Sequence, residues 1–229
     1  MKITVILICL LASVTSLYSQ ISELWRKSYT QEITSAIRSY TTDNDGNFII
    51  GSAVSRSAPN FSDFLVIKFN PEGDTLWRRE YQSRDGFQDH LWDVHADNSG
   101  NVYVTGVSTD YNSETTLRTL KYSSTGALLW QRTDSIETKQ QNNGFTIEAY
   151  LAEGPDGNIY ICTNDLGFLH MIRYTPAGAK VWSKVTSIPQ GIAYMFVRGF
   201  EVNSLGMIIS TEFVDNVNYQ YNVLGLKCN

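Results

Sequence analysis

Apolar residues along the chain recur in short alternating runs that are typical of β-strands, and none of the runs has an extended helical period. The stretch from Trp77 to Tyr122 illustrates the pattern. It predicts four strands, near Trp77–Tyr81, Leu91–Ala96, Asn101–Val107 and Leu117–Tyr122. Clusters of Asp, Asn, Ser and Gly separate the runs and favour tight turns between them. The pattern therefore predicts an all-β protein.

Tryptophan marks an internal repeat, which is the first feature to look for in such a pattern. Trp25, Trp77, Trp130 and Trp182 recur at separations of 52, 53 and 52 residues. Each of the last three follows a glycine by four residues, and ahead of that glycine lies a strand-like run that ends in a basic and then an aromatic residue. The three runs are Phe64–Phe69, Leu117–Tyr122 and Leu169–Tyr174.

Glycine-containing turns provide a second marker in the same phase. Gly46, Gly100, Gly157 and Gly206 are 54, 57 and 49 residues apart, and an apolar run follows each of them. Such a turn joins two hairpin strands, because glycine accepts the positive φ that the turn needs. A four-stranded unit of this length cannot bury its own faces, so it must stack on copies of itself. Radial stacking predicts a β-propeller with one four-stranded blade per repeat, whereas a β-sandwich and a β-solenoid are the alternatives.

The two ends of the chain match neighbouring strands of one blade. Glu23–Lys27 matches the tryptophan strand, and Val223–Asn229 matches the strand that comes just before it. We therefore expect the N-terminal strand to pair with the C-terminal one and to complete the last blade, which removes two exposed sheet edges. This arrangement gives four blades. The alternative is an open array with further blades beyond Asn229.

Residues 1–19 have the features of a signal peptide. Lys2 precedes an apolar stretch from Ile3 to Leu17, and the small residues that follow predict cleavage before Gln20. The apolar stretch is short for a membrane-spanning helix, although a retained N-terminal anchor is the alternative. We expect the mature repeat domain, residues 20–229, to be secreted or at the cell surface, with no membrane insertion after cleavage.

The two repeat markers resemble the bacterial SBBP-type β-propeller repeat family of secreted and cell-surface proteins. The matching residues are Asp-x-x-Gly-Asn-x-Tyr-Val-Thr-Gly at 97–106 and Lys-Phe/Tyr-x-x-x-Gly-x-x-Leu-Trp at 68–77 and 121–130. The resemblance covers nearly all of the mature chain and weakens in the fourth repeat, where Leu205 and Met207 depart from the turn pattern. It implies a propeller fold and an extracellular setting, and it carries over no catalytic residue.

Composition narrows the classes of function. The chain has 229 residues, and its 23 acidic and 18 basic residues give a net charge of −5. A nucleic-acid-binding protein would normally present a basic patch, so we expect no nucleic-acid partner. Cys162 and Cys228 remain after signal cleavage, and their spacing leaves open whether they form a disulfide. Because the sequence has no Cys/His cluster, we predict neither a metal site nor a bound cofactor.

Asp93 and His95 are the candidate binding residues. They fall on one face of a predicted inner strand, where side chains can face the central channel of a propeller. The alternative is a solvated or structurally hydrogen-bonded pair. His90 and His95 are five residues apart, so strand alternation places them on opposite faces. Asp43–Asn47 resembles the start of a calcium loop, but Val54 stands where an EF-hand needs its bidentate Glu, so a hairpin turn is predicted.

The leading hypothesis for function is a secreted, non-enzymatic binding or scaffold protein that recognises a protein or glycan through its loops. The alternative is an extracellular propeller enzyme, either a polysaccharide-acting hydrolase or a quinone-dependent dehydrogenase, for which we identify no catalytic residue. The ligand, the number of blades and any self-association stay open at this point. The longer connections between blades, which should gather on one face, are Gln82–Asp89, Asp134–Thr146 and Ser183–Tyr194.

Overall fold

A computed structural model describes residues 26, 37–55, 62–83, 88–110, 114–136, 147–165, 168–187, 192–215 and 221–228. Within these residues the regular secondary structure is all β-strand, with no helix, which confirms the all-β prediction. The strands are β1 (Ser39–Thr42), β2 (Phe48–Ser55), β3 (Ser62–Phe69), β4 (Thr75–Tyr81), β5 (Gln88–Ala96), β6 (Val102–Thr109), β7 (Thr115–Tyr122), β8 (Leu128–Ser135), β9 (Ala149–Glu153), β10 (Ile159–Asp165), β11 (Phe168–Tyr174), β12 (Lys180–Ser187), β13 (Ile192–Asn203), β14 (Gly206–Asp215) and β15 (Tyr221–Cys228).

The strands form antiparallel meanders, which we call sheets 1 to 4 in chain order. Sheets 1, 2 and 3 are β1–β4, β5–β8 and β9–β12, and sheet 4 is β13–β15. In each sheet every strand pairs with the next one along the chain, and a single parallel bridge between Ser62 and Gln88 links sheets 1 and 2. The four-stranded units predicted from the repeat are therefore present, and the tryptophan strand is the last strand of its sheet.

A glycine with positive φ closes the turn between the third and fourth strands of sheets 1 to 3. Gly73, Gly126 and Gly178 have φ values of 84°, 83° and 82°. The Gly126 N–H donates to the carbonyl of Ser123 at 2.9 Å, and the other two turns repeat this bond. Side chains with a Cβ are strained in this left-handed region. The glycine of the Gly-x-x-x-Trp marker is therefore required by the turn.

Apolar side chains pack between the faces of consecutive sheets, in three buried clusters. The clusters contain Phe64 and Leu91 between sheets 1 and 2, Leu117 and Ile161 between sheets 2 and 3, and Cys162 and Ile209 between sheets 3 and 4. Burying one such side chain contributes about 1.5–3 kcal/mol, so the stacking of sheets stabilises each of them. The side chain of Cys228 lies outside the described residues, so the structure does not test a disulfide between Cys162 and Cys228.

Sheet 1 is also buried on the face that points away from sheet 2. Leu65 and Ile67 are 0% exposed there, in a cluster with Ile50, Val54 and Phe69. Burial of both faces explains why β3 is a continuous apolar run instead of an alternating one. The predicted strand Glu23–Lys27 lies outside the described residues except for Arg26, so closure of the stack into a four-bladed ring stays a prediction.

A bulge in β5 corrects one expectation about side-chain direction. The pairing of β5 with β6 shifts by one residue between Leu91 and Asp93. As a result Leu91 and Val94, three residues apart, both point at Gly51 of sheet 1. The alternation that was predicted to place His90 and His95 on opposite faces is therefore wrong across this strand, because a bulge adds one residue to the count.

Candidate functional site

The two ends of the sheet stack differ in how their strands are connected. At the end that we call the turn end, tight turns join the first strand to the second and the third to the fourth, as in Asp43–Asn47 and Asn70–Asp74. The opposite end, the loop end, carries the connections from one sheet to the next. Those connections lie within the three long loops predicted above, and residues 84–87, 137–146 and 188–191 of them lie outside the described residues. The third predicted loop, Ser183–Tyr194, is too long, because β12 continues to Ser187 and β13 begins at Ile192.

At the turn end, Trp77 joins sheet 1 to sheet 2. The Trp77 indole N–H donates to the carbonyl of Ser124 at 2.9 Å, and Arg79 Nε donates to the carbonyl of Gly126 at 2.6 Å. The indole lies so close to this turn that a Cβ on Gly126 would come within 2.8 Å of the ring. Trp77 therefore packs between neighbouring sheets.

Sheet 2 repeats this arrangement on sheet 3. The Trp130 indole N–H donates to the carbonyl of Pro176 at 3.0 Å, and Arg132 Nε donates to the carbonyl of Gly178 at 2.6 Å. Lys121 Nζ donates to the same Pro176 carbonyl at 3.2 Å. We call each set of a tryptophan, the basic residue two positions after it and the basic residue of the preceding strand a tryptophan dock.

A buried ion pair supports the first tryptophan dock. Lys68 Nζ lies 2.6 Å from Asp43 Oδ2, with the two side chains 2% and 1% exposed, and it also donates to the carbonyl of Gly100 at 3.2 Å. Asn47 donates to Asp43 from both its backbone and its side chain at 2.9 Å. Burial alone would raise the pKa of Asp43, but the bonds from Lys68 and Asn47 hold that pKa below its usual value. These contacts agree with the hairpin-turn interpretation of Asp43–Asn47.

Asp93, a predicted candidate, connects three sheets at their inner strands. Its Oδ1 accepts hydrogen bonds from the Ser39 hydroxyl of sheet 1 at 2.6 Å and from the Val94 N–H at 2.9 Å. Its Oδ2 accepts one from the Leu151 N–H of sheet 3 at 2.9 Å. Burial raises the pKa of Asp93 although these bonds oppose the shift. The geometry is that of a structurally hydrogen-bonded carboxylate, the alternative that the sequence left open.

His95, the second candidate, lies nearer the turn end. Its Nε2 is 3.0 Å from Glu153 Oε2 of sheet 3, and the two side chains are partly exposed. Asp93 and His95 therefore share strand β5 and both contact sheet 3, but each has its own partner there. The structure places both residues at contacts between sheets.

Toward the loop end, a cation lies on an aromatic ring at the inner strands of sheets 1 and 2. The Arg38 guanidinium carbon is 4.9 Å from the centroid of the Trp92 ring, and the guanidinium is exposed. The Trp92 indole N–H is buried without a hydrogen-bond partner among the described residues. Burial, and then the charge of Arg38, lower the pKa of His90. The neutral form of His90 is therefore favoured beside Arg38.

A second cation lies on the inner strands of sheets 3 and 4. Arg198 Nε donates to Glu212 Oε2 at 2.9 Å, and Arg198 Nη1 donates to Glu148 Oε1 at 3.4 Å. The Tyr150 hydroxyl donates to the other Glu148 oxygen at 3.2 Å. Burial, together with Glu148, raises the pKa of Tyr150 to about 12. Arg198 is 47% exposed, so solvent still reaches its guanidinium.

Sequence reasoning missed Arg38, Trp92 and Arg198, although a signal for them exists. Each lies five residues before the first residue of its hairpin turn, which is Asp43, Asp97 and Asn203, respectively. Alignment of the repeats on these turns would have shown large cationic or aromatic side chains at one register position of three inner strands. Guanidinium groups bind carboxylates, and aromatic faces complement cations and apolar surfaces.

Metal and membrane sites are not evident in the part of the chain that is described. Among those residues, no three His, Cys, Asp or Glu side chains are grouped so that they could hold a metal ion. No described helix has the length and apolar character needed to cross a membrane.

Comparison with known proteins gives a likeness of fold. No protein-family model and no curated protein matches the chain. A crystal structure of a protein of unknown function from Dyadobacter fermentans DSM 18053 is similar with a TM-score of 0.54 at 10% identity, over 81% of this chain and 51% of that one. The chain thus spans about half the length of that protein, and the likeness shows a shared fold alone.

Weaker likenesses carry no argument about this chain. The N11 neuraminidase-like protein of A/flat-faced bat/Peru/033/2010 (H18N11) has a TM-score of 0.44 at 11% identity, over 80% of this chain and 58% of that one. The WD40 domain of SCAP from fission yeast has a TM-score of 0.39 at 8% identity, over 87% and 56%.

Proposed function

We propose that the chain is a secreted, non-enzymatic scaffold with a four-bladed β-propeller fold, and that it recognises a protein or glycan partner at its loop end. The difference between the two ends of the sheet stack carries the proposal. At the turn end, Lys68, Trp77 and Arg79 are committed to hydrogen bonds that join sheets. Toward the loop end, Arg38 on the Trp92 ring and Arg198 between Glu148 and Glu212 remain accessible to solvent.

The loop-end side chains suit a polar ligand that has an anionic group and an apolar or sugar-ring face. Arg38 lies on Trp92, which orients the guanidinium, and no acidic side chain among the described residues forms an ion pair with it. Loops held by a rigid stack of sheets are where recognition residues concentrate. The signal-peptide features of residues 1–19 and the resemblance to SBBP-type repeats support an extracellular setting.

The test is a binding screen with a matched pair of variants. The purified mature chain is presented to a panel of extracellular glycans and proteins, and binding is measured by biolayer interferometry. We expect Arg38→Ala and Arg198→Ala to weaken binding at least about tenfold, since a hydrogen bond to a charged group contributes about 1.5–3 kcal/mol. His95→Ala, at the turn end, should leave binding unchanged. Equal losses for all three variants would contradict a loop-end site.

The same screen separates binding from catalysis. A glycosidase needs two carboxyl groups at a defined separation, and Glu148 and Glu212 at this end both bind Arg198. We therefore expect bound glycans to be recovered intact. Release of reducing sugar by the wild type, lost in Glu148→Gln, would favour the polysaccharide-acting hydrolase, and absorbance from a bound quinone would favour the dehydrogenase.

A further inference from the structure

Arg38 is an exposed cation toward the loop end, and no acidic side chain among the described residues forms an ion pair with it. It directly precedes β1, and its guanidinium carbon is 4.9 Å from the centroid of the Trp92 ring, which orients the guanidinium. The Trp92 indole N–H, a donor of the same pair, is buried without an acceptor among the described residues. Hydrogen-bond donors are therefore in excess at this pair, and a ligand that supplies acceptors would complement it.

Arg198 has a similar aromatic support, but its charge is already compensated. Its guanidinium carbon is 5.1 Å from the centroid of the Phe196 ring. The guanidinium also pairs with Glu212 at 2.9 Å and with Glu148 at 3.4 Å. An anionic ligand would have to displace one of these glutamates before it could bind Arg198. Of the two arginines, Arg38 is therefore the one that suits an anion.

We propose that Arg38 binds the carboxylate of an acidic sugar, a uronic acid unit of a glycan. The inference rests on the proposed function, since it names the chemical group that the loop end recognises. The edge of a guanidinium matches a planar carboxylate through two parallel hydrogen bonds. Because the guanidinium already lies on the Trp92 ring, less of its freedom is lost when the carboxylate binds.

The neighbouring polar groups favour a sugar over a peptide as the carrier of the carboxylate. Asp93, the residue after Trp92, is a nearby acceptor, but its two oxygens already accept three hydrogen bonds from the protein. A peptide brings backbone N–H donors beside its carboxylate, and these need acceptors. A uronic acid brings a ring oxygen and hydroxyl oxygens that accept hydrogen bonds. The excess of donors at Arg38 and Trp92 therefore fits the sugar.

His90 provides an independent readout of an anion at Arg38. It lies two residues before Trp92 on β5, and burial, followed by the charge of Arg38, lowers its pKa. The acid that acts on His90 in the opposite direction is Asp89, which is buried. A carboxylate bound to Arg38 would reduce the positive potential at His90, so binding should raise the pKa of His90. By reciprocity, the acidic sugar should bind more tightly as the pH falls through that pKa.

The probe is tetragalacturonic acid, and its methyl ester is the matched control, because esterification keeps every sugar ring and removes the charges. Binding to the mature chain is measured by isothermal titration calorimetry at about pH 6, where the sugar carboxylates are ionised. We expect the acid to bind about tenfold or more tightly than the ester. Arg38→Ala should remove this preference, and Arg38→Lys, which keeps the charge but lacks the planar fork, should retain part of it.

Two further measurements separate direct binding from an indirect effect. Arg198→Ala should weaken the acid and the ester by the same factor, because Glu148 and Glu212 already compensate the Arg198 charge. The ring resonances of His90, followed by NMR, should titrate at a higher pH with the acid than without it. In Arg38→Ala, and with the ester, this change in the His90 titration should be absent.

The outcomes distinguish this inference from the proposed function. The inference is overturned if the wild type does not bind the acid, if the ester binds as tightly, or if Arg38→Ala keeps the preference. It is also overturned if a peptide with a C-terminal carboxylate binds at Arg38 and the acid does not. Each of these results leaves the loop-end function standing where another glycan or a protein binds there, whereas the absence of any partner in the wider screen would contradict the proposed function itself.

Discussion

Replacement of Lys68 by methionine tests whether the buried ion pair with Asp43 stabilises the join between sheets 1 and 2. Methionine keeps most of the length of the apolar stem but removes the ammonium group that lies 2.6 Å from Asp43 Oδ2 and 3.2 Å from the carbonyl of Gly100. The Asp43 side chain, 1% exposed, is then left as a buried charge without its cation. The perturbation is therefore electrostatic, with little change in packing.

The magnitude follows from what Asp43 retains. Loss of one partner of a buried ion pair destabilises a protein by about 3–5 kcal/mol. Asp43 keeps hydrogen bonds from the backbones of Asp45 and Asn47, at 3.0 and 2.9 Å, and from the Asn47 side chain at 2.9 Å. These bonds compensate part of the charge, so we expect Lys68→Met to lower the free energy of unfolding by about 3 kcal/mol at pH 7.

The assay is urea unfolding followed by tryptophan fluorescence, with the midpoint read at constant slope. In the double variant Lys68→Met with Asp43→Asn, about half of the loss or more should return, because the uncompensated charge is gone. Arg78→Met is the control, since its ion pair with Glu80 is about 30% exposed on both sides and contributes about 1 kcal/mol or less. If Lys68→Met cost no more than Arg78→Met, or the double variant gained nothing, the reasoning would be refuted.

Three further predictions use the same unfolding assay. Gly126→Ala should lower the free energy of unfolding by about 1–3 kcal/mol, and by more than Gly157→Ala. Both glycines have positive φ, but only at Gly126 would the new Cβ meet a ring, that of Trp77 at 2.8 Å. Equal losses in the two variants would argue against the tryptophan contact. Asp93→Asn should lower the free energy of unfolding by about 1–3 kcal/mol, since an amide cannot accept from all three present donors. His95→Ala should lower it by about 1 kcal/mol or less. The pKa of Asp97 is lowered in the folded state, so its ionised carboxylate stabilises the fold above about pH 4. This contribution to the free energy of unfolding should be lost as the pH falls through the folded pKa. The Asp97→Asn variant should lack this pH-dependent contribution.

The repeat and its four strands could be predicted because local hydrogen bonding fixes both markers. Gly73, Gly126 and Gly178 need positive φ, and the indole N–H groups of Trp77 and Trp130 each donate to a turn carbonyl of the next sheet. Requirements of this kind restrict residue type at one position in every copy, so they are visible in a single sequence. The order of strands in each sheet then follows from short hairpin connections.

The bulge in β5 could not be predicted, since nothing at Trp92 differs in type from an ordinary strand residue. The extra residue is tolerated because Leu91 and Val94 together fill the space over Gly51 of the neighbouring sheet. That space is a property of two stacked sheets, and strand alternation alone contains no information about it. The error over His90 and His95 has this origin.

Asp93 shows why side-chain type on an inner strand does not separate a ligand-binding carboxylate from a structural one. Its Oδ2 accepts from the backbone N–H of Leu151, 58 residues away, and a backbone donor leaves no trace in residue type. Arg38 and Arg198 differ in this respect, because a long cationic side chain at an inner position is retained against a desolvation cost only where solvent or a counter-charge is available. The register of a polar residue relative to the turn, taken across all repeats, is therefore more informative about binding than its chemical type within one repeat.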